Sequence, residues 1–518
     1  MNKKIFLIIS LAFYVFIMKA QTKDSTSVSF KTFETLKIEN PWLKTSNPAG
    51  LNYNKGPLPK ELDLRYKLED GDYKRVQQGD QINYYSFSTK SYLKIEDVNL
   101  FGSFSYDKSY ERNLDYSNTN NPYRETPYDY IDTIGGDTYD REFFYLNGAL
   151  SKPLGESTIF GLGVDFGVGV SVQGNDPRPE NKVLDLLVTP GIIHSFSKVK
   201  FGLNFIYQYY NEEIEIDIIE ENATATIFKM LGPAINYINI EGTSFNRLYK
   251  RNSYGGDLQL NYSLGNLNVL LSAKGIYFKE TTEDGGKSDY KSWNYMRNYS
   301  RFEGMDWNFY TNIQLKKNLL IHNIDGNFRY LTTLGTEIIE DLDLVGDLDN
   351  EDWVYYADEP KYASRRIGAE LEYDYIKMNN SVVQNYTIKL RAKYNLYEQE
   401  YHMPEQWENY ENIVFGLAAS KDFSFKKSLI SLGVDFDYKM HITGKQRFEE
   451  TNFIYDLITQ PDFKFLTDNY YAPALNLLYE KPLTKIFDKI FIDTKSKLFI
   501  GENGQSRLVA NFSLGVIF

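Results

Sequence analysis

The chain has 518 residues, no cysteine, 16 % aromatic residues and a formal net charge of −13. The acidic balance argues against a nucleic-acid partner, which needs a basic face, and the missing cysteines exclude disulfides, thiolate chemistry and cysteine-based zinc sites. Forty-three tyrosines beside scarce Pro, Met and His suit long antiparallel strands with polar turns rather than a helical or α/β enzyme.

The N-terminus reads as an export signal. Asn2-Lys3-Lys4 is basic, Ile5 to Met18 is apolar, and Met18-Lys19-Ala20 precedes Gln21. That pattern is a secretory signal peptide over residues 1–20. A retained anchor is disfavoured because the apolar run is shorter than the roughly 20 residues a spanning helix needs. Residues 21–59, with Pro41, Asn47-Pro48-Ala49 and Pro57 and no alternation, read as a periplasmic or lumen-inserted segment, and 60–518 as a membrane barrel. No globular plug of about 100 residues precedes the first expected strand, so energised transport by this chain alone is not expected.

Period-two alternation carries the barrel reading. A first strand is expected near Leu62 to Lys74. From Thr158 to Val172 the even positions form an apolar strip (Thr158, Phe160, Leu162, Val164, Phe166, Val168), while the odd ones include Gly161, Gly163, Asp165 and Gly167. The same code recurs at Val199 to Tyr209, Tyr254 to Leu264, Met305 to Leu315, Ile367 to Tyr375 and Ile430 to Met440. Charge on the minor face of so many long strands predicts a polar lumen and a lipid-facing exterior. Short turns at Lys152 to Ser157, Ser197-Lys198, Gly265-Asn266, Lys316 to Asn318, Lys377 to Asn380 and Lys426-Lys427 alternate with long polar loops. Those loops are Arg112 to Thr138, Asn211 to Asn252, Glu280 to Glu303, Thr336 to Lys361 and Gly444 to Thr467. The expected fold is an all-β, transmembrane, antiparallel up-and-down barrel of about 18 strands, with 16 close behind and 14 to 18 as the range. The last strand, Gln505 to Phe518, ends on an aromatic residue. That ending resembles the signal by which the outer-membrane assembly machinery recognises its clients.

Four constellations are candidates for function. Glu370, Glu372 and Asp374 face inward from one strand, and Lys389, Arg391 and Lys393 from the next. They are expected as cross-strand ion pairs, either selecting solutes or rigidifying the lumen. An acidic external loop offers Asp341, Asp343, Asp347 and Asp349 as candidate cation ligands, although their spacing does not match a twelve-residue calcium loop; a solvated rim is the plainer reading. Asp176-Pro177-Arg178-Pro179 rigidifies a tight crossing, with Arg178 expected to fold toward Asp165 or an acidic loop. The chain has four histidines, of which His402 and His441 lie near expected strand tops and His194 on an apolar face. No G-x-S-x-G, H-E-x-x-H or phosphate-loop pattern accompanies them, so no enzyme and no cofactor is expected.

The run Asp176-Pro177-Arg178-Pro179 to Asn181, then Asp185-Leu186, resembles an uncharacterised family of gram-negative outer-membrane β-barrels. Leu100 to Tyr106, Gly135-Gly136 before Glu142-Phe143-Phe144-Tyr145, and Lys229-Met230-Leu231-Gly232 are similar to that family's landmarks, in the same order. The family has no assigned activity, and its members often look like accessories to energised nutrient uptake. The resemblance thus implies an outer-membrane location, a transport context, and an uptake transporter or surface lipoprotein as partner. Asn47-Pro48-Ala49 is similar to a turn that precedes the barrel in fatty-acid-transport-type proteins. The reading is a transport or uptake-accessory barrel held in outer-membrane lipid. Its rivals are a passive channel for hydrophilic solutes, a scaffold barrel and, last, a barrel hydrolase.

Overall fold

The alternating stretches become β-strands because each buries one face and wets the other, and every backbone group finds a partner only when the ring closes. A computed structural model describes residues 32–55, 58–219, 225–242, 244–285, 297–343, 352–378, 384–425, 428–449, 451–483 and 487–518. In chain order its strands begin with β1 (Lys60–Gly71), β2 (Gln81–Ile95), β3 (Val98–Leu114), β4 (Tyr130–Ile131), β5 (Asp137–Pro153), β6 (Thr158–Gln173), β7 (Arg178–Phe196) and β8 (Val199–Asp217). There follow β9 (Ala225–Gly232), β10 (Ile235–Gly242), β11 (Ser244–Leu264), β12 (Leu267–Gly285), β13 (Arg297–Lys317), β14 (Leu320–Asp343) and β15 (Asp352–Met378). The last are β16 (Gln384–His402), β17 (Glu405–Phe425), β18 (Ser428–Phe448), β19 (Tyr470–Pro482), β20 (Lys489–Gly501) and β21 (Ser506–Ile517).

Eighteen of them form one antiparallel sheet, each strand hydrogen-bonded to its neighbours in sequence apart from β4, β9 and β10. The sheet closes where β1 pairs with β21, Glu61 opposite Ile517 and Gly71 opposite Arg507. The chain is therefore an outer-membrane-type β-barrel, with lipid-facing Phe201, Leu203, Leu258, Leu371, Leu417 and Leu475 exposed on its exterior. Strands β4, β9 and β10 form a separate three-stranded sheet from the two connections that follow β3 and β8.

Two expectations about extent need correcting. The first strand is Lys60–Gly71 rather than Leu62 to Lys74. The long connections are shorter than their polarity suggested, because β14 and β15 run for 24 and 27 residues, β12 reaches Gly285 and β11 starts at Ser244. Apolar alternation stops where lipid stops, but ladder hydrogen bonding continues beyond it with polar residues on both faces. The turn expected at Lys426-Lys427 lies outside the described residues, as do positions 379 and 380 of the turn expected at Lys377 to Asn380.

Candidate functional site

The lumen is where sequence and structure converge. Helix α1 (Thr32–Glu39) and two short helical turns, Pro41–Lys44 and Pro48–Tyr53, lie against the inner wall. Asn40 and Asn47 accept the first free backbone N–H of each turn, and a proline opens each. Asn47 then donates its amide to Gln259 (3.0 Å) and to the Ile192 carbonyl (3.1 Å). Ser46 donates to Asp257 (2.6 Å), and Lys44 pairs with Asp325 (2.6 Å). Pro48 and Ala49 press so closely on β6 that a side chain at Gly161 would meet Ala49 N at 2.2 Å. Glycine at position 161 is thus required by a close approach, not by a turn. Phe33 packs on Tyr92 of β2, and Ile38 on the cluster that Ile321 of β14 forms with Ile376 and Met378 of β15. β2 and β14 are the second and eleventh strands of an eighteen-strand ring, half a circuit apart, so this segment crosses the lumen.

A second crossing closes the outer end. The connection between β3 and β5 sends Glu125 to Arg366 (2.7 Å) and Arg329 (3.4 Å). Arg366 is on β15, the twelfth ring strand, against the third for β3: again nine of eighteen. Arg124 pairs with fully buried Glu280, which also accepts from Arg251 (2.9 Å). Arg247, with no exposed surface, holds Asp284 through two bonds of 2.6 and 2.8 Å; Lys229 of β9 adds a third at 2.6 Å. Arg247 also donates to the Tyr128 carbonyl (3.0 Å) and lies 3.7 Å from the Tyr130 ring. Helix α2 (Gln460–Thr467) completes the lid, since Asp462 binds Arg75 (2.6 Å) and the Val76 N–H (2.8 Å). Ile131, Phe228 and Ile454 form a small core between these loops. Burial pushes the Asp129 carboxyl of this lid up to about 8 against the opposing pull of Arg124, and burial pushes Asp132 up to about 6.

The inward charges pair less regularly than the rung-by-rung ladder expected from sequence. The register does oppose Glu370 to Lys393, Glu372 to Arg391 and Asp374 to Lys389. Lys389, however, takes both Glu372 (3.0 Å) and Asp374 (3.1 Å). Arg391 turns to the next strands but one and binds Asp435 and, at 2.8 Å, Asp437. Arg391 reaches them because Gly416, between them on β17, leaves the path open. Glu370 and Lys393 point into open lumen without an ion pair among the described residues. Arg178 pairs with Asp176 (2.7 Å) two residues before it, not with Asp165.

Of the acidic loop candidates, Asp347 and Asp349 lie outside the described residues. Asp341 and Asp343 have described backbone, at the end of β14, but no described side chains. A different carboxylate trio, Asp325, Glu372 and Asp374, has oxygens within 4.8 Å of one another. Lys44 and Lys389 supply its counter-charge, and Asn312 and Asn323 donate to Asp325, so the trio already has cations of the chain's own beside it. Among the described residues His402 meets only Glu400 (3.7 Å) and His441 meets Asn412 (3.2 Å), with no serine nucleophile at either. His194 bonds Thr158 (2.8 Å), and His322 bonds Tyr373 (2.8 Å).

Sequence reasoning missed the lid. Its key residues, Arg124, Lys229, Arg247, Glu280 and Asp284, fall in segments read wholly or partly as solvated loops. The available signal was apolar: Tyr128, Tyr130, Ile131, Ile227, Phe228 and Leu231 are too many large hydrophobic residues for loops in water.

Residues 48–518 match the model of a "Family of unknown function (DUF6850)". The chain belongs to this family. The match includes Asp176 to Asn181 and the other landmark runs, in agreement with the resemblance read from them. No curated protein matches in sequence. Among solved structures, the chain is similar to the ferric preacinetobactin receptor BauA from Acinetobacter baumannii, at 10 % identity and TM-score 0.39, covering 90 % of this chain and 80 % of that one. It is similar to the copper transporter OprC at 7 % identity and TM-score 0.41, with 89 % and 81 % covered. It is similar to the transporter YddB from Escherichia coli at 9 % identity and TM-score 0.39, with 89 % and 81 % covered. The barrel assignment itself rests on the closed pairing.

Proposed function

We propose that this family member is an uptake-associated outer-membrane barrel that rests closed and passes solute only when its lid and its N-terminal segment move. One observation carries the reading: the lumen is crossed twice, by residues 32–55 at one end and by the β3–β5 connection at the other, each reaching strands half a circuit away. A barrel evolved for free diffusion needs no such pair of crossings. In this reading residues 1–20 direct export, 21–59 seat in the lumen, and the strand ending at Phe518 engages the assembly machinery. The Glu370, Glu372, Asp374, Lys389, Arg391 and Lys393 group sets the charge of the path. The Asp176-Pro177-Arg178-Pro179 turn fixes the β6–β7 crossing, and a transporter or surface lipoprotein supplies the opening.

Planar-bilayer recording tests this. The wild type is expected to be silent. A variant lacking residues 32–55, with the β3–β5 connection (residues 115–136) replaced by a Gly-Ser linker, is expected to conduct. Steady conductance by the wild type would show a passive channel and overturn the proposal. Silence in both would favour the scaffold, which the ion pairs filling the lumen also suit.

A further inference from the structure

Between the two crossings lies a polar cavity of about 460 Å³, within the size range of small-ligand sites. Lys44, Thr45 and Ser46 form its floor, and β11 to β15 form its wall with Asp257, Lys274, Asn308, Tyr310, Asn327, Glu370 and Glu372. Most of these charges are committed. Asp257 accepts from Ser46 and Ser272 (both 2.6 Å), Asp325 is held by Lys44, and Glu372 by Lys389. Two are not. Lys274 and Glu370 have no ion-pair partner among the described residues, and both line the cavity.

Their placement is ordered. Lys274 stands opposite Asn308, and Glu370 opposite Asn327. Asn308 donates to Asn327 at 2.9 Å, so a pair of amides bridges the row between the two charges. Three interstrand steps and a two-residue offset put roughly 15 Å between the Lys274 and Glu370 Cα atoms. Two long side chains leaning inward shorten that gap toward the roughly 10 Å spanned by three extended residues. A free ammonium, a free carboxylate and two amides between them are complementary to one chemistry: a carboxylate at one end, an ammonium at the other, and peptide groups in the middle.

We propose that this cavity binds short zwitterionic peptides, the solute carboxylate on Lys274, its amino group on Glu370 and its peptide groups on Asn308 and Asn327. The assignment deepens the uptake reading and rests on it for physiological meaning. It is tested by calorimetric titration of the purified barrel with triglycine, N-acetyl-triglycine and triglycine amide. Titrations run on the wild type and on a variant in which only residues 115–136 are replaced by a Gly-Ser linker and residues 32–55 are kept, so that access does not limit binding and the cavity floor stays in place. Triglycine is expected to bind, and blocking either end to weaken it on the order of tenfold, the scale of one charge-assisted hydrogen bond. Lys274→Met should erase the difference between acid and amide, and Glu370→Gln the difference between free and acetylated amine. No binding of triglycine to either protein, or equal binding of all three peptides, overturns the site. Neither result bears on closure, which the bilayer recordings decide separately.

Discussion

Replacing Arg247 with Met is the sharpest probe of the lid. Arg247 and Asp284 belong to neighbouring wall strands, whereas Lys229 and the Tyr128 carbonyl belong to the infolded loops. The substitution leaves Asp284 with one cation in place of two and removes a donor from the Tyr128 carbonyl. Breaking a buried ion pair costs about 3–5 kcal/mol, and the surviving Lys229 places this case near the lower end. β11 and β12 stay paired in unbroken register from Asn246 opposite Gly285 to Leu264 opposite Leu267, so the cost falls on lid seating and not on the barrel. At about 3 kcal/mol the open fraction rises on the order of a hundredfold. The chain has no cysteine, so a single Thr126→Cys substitution gives a labelling site free of background. Thr126 is buried within the seated lid, and its maleimide labelling should accelerate by that factor in the Arg247→Met background. Adding Asp284→Leu and Lys229→Met, which removes the buried charges together, should recover most of the loss. Equal labelling rates with and without Arg247, or loss of the heat-modifiable folded band, would refute the reasoning.

Other outcomes are expected from the same geometry. Burial in the seated lid pushes the Asp129 and Asp132 carboxyls up to about 8 and about 6, and opening returns them toward the ordinary carboxylate range of about 4, so the seated lid binds more protons over that interval. Its stability is therefore greatest below about pH 4 and falls as pH rises toward 6 and then 8. Maleimide labelling of Thr126→Cys, normalised to a cysteine on an exposed turn, should accelerate from pH 5 to 8, and Asp129→Asn should flatten the upper part of that rise. Gly161→Ala drives a methyl into Ala49 N and should loosen the Asn47-Pro48-Ala49 turn by about 1–3 kcal/mol, seen as faster hydrogen exchange at residues 42–53 with the barrel unchanged. Leu258→Arg on the lipid face should cost up to about 2–4 kcal/mol of folding free energy in urea titrations, whereas Glu370→Gln in the lumen should stay within about 0.5 kcal/mol.

How far the sequence could be read depended on the solvent facing each residue. Where lipid met one face and water the other, as at Thr158 to Val172, alternation located strands and predicted the number found. Beyond the membrane both faces of β14 and β15 are polar, period two vanishes, and strand was read as loop. The lumen fared similarly. Register put Glu372 opposite Arg391, as alternation implied, but rotamer choice sent Arg391 to Asp435 and Asp437, which spacing along two strands does not encode. The lid eluded the sequence for a third reason. Arg124 and Glu280 are 156 residues apart, as Arg366 and Glu125 are 241, and no local pattern reports such pairings.

The seam between β1 and β21 constrains how the molecule can be made. Pairing Glu61 with Ile517 joins positions more than 450 residues apart, so the ring stays open until the final strand is in place. The segment wedged between β2 and β14 touches both sides of the ring on its inside. It must be seated before the seam zips, or be threaded afterwards through a barrel already roofed by its own loops. Seating first is the shorter route, and it makes the N-terminal segment a template around which the wall curls. A chain whose Asn47 cannot dock would then be expected to stall as an open sheet, its unpaired β1 and β21 edges exposed, rather than mature into a leaky pore.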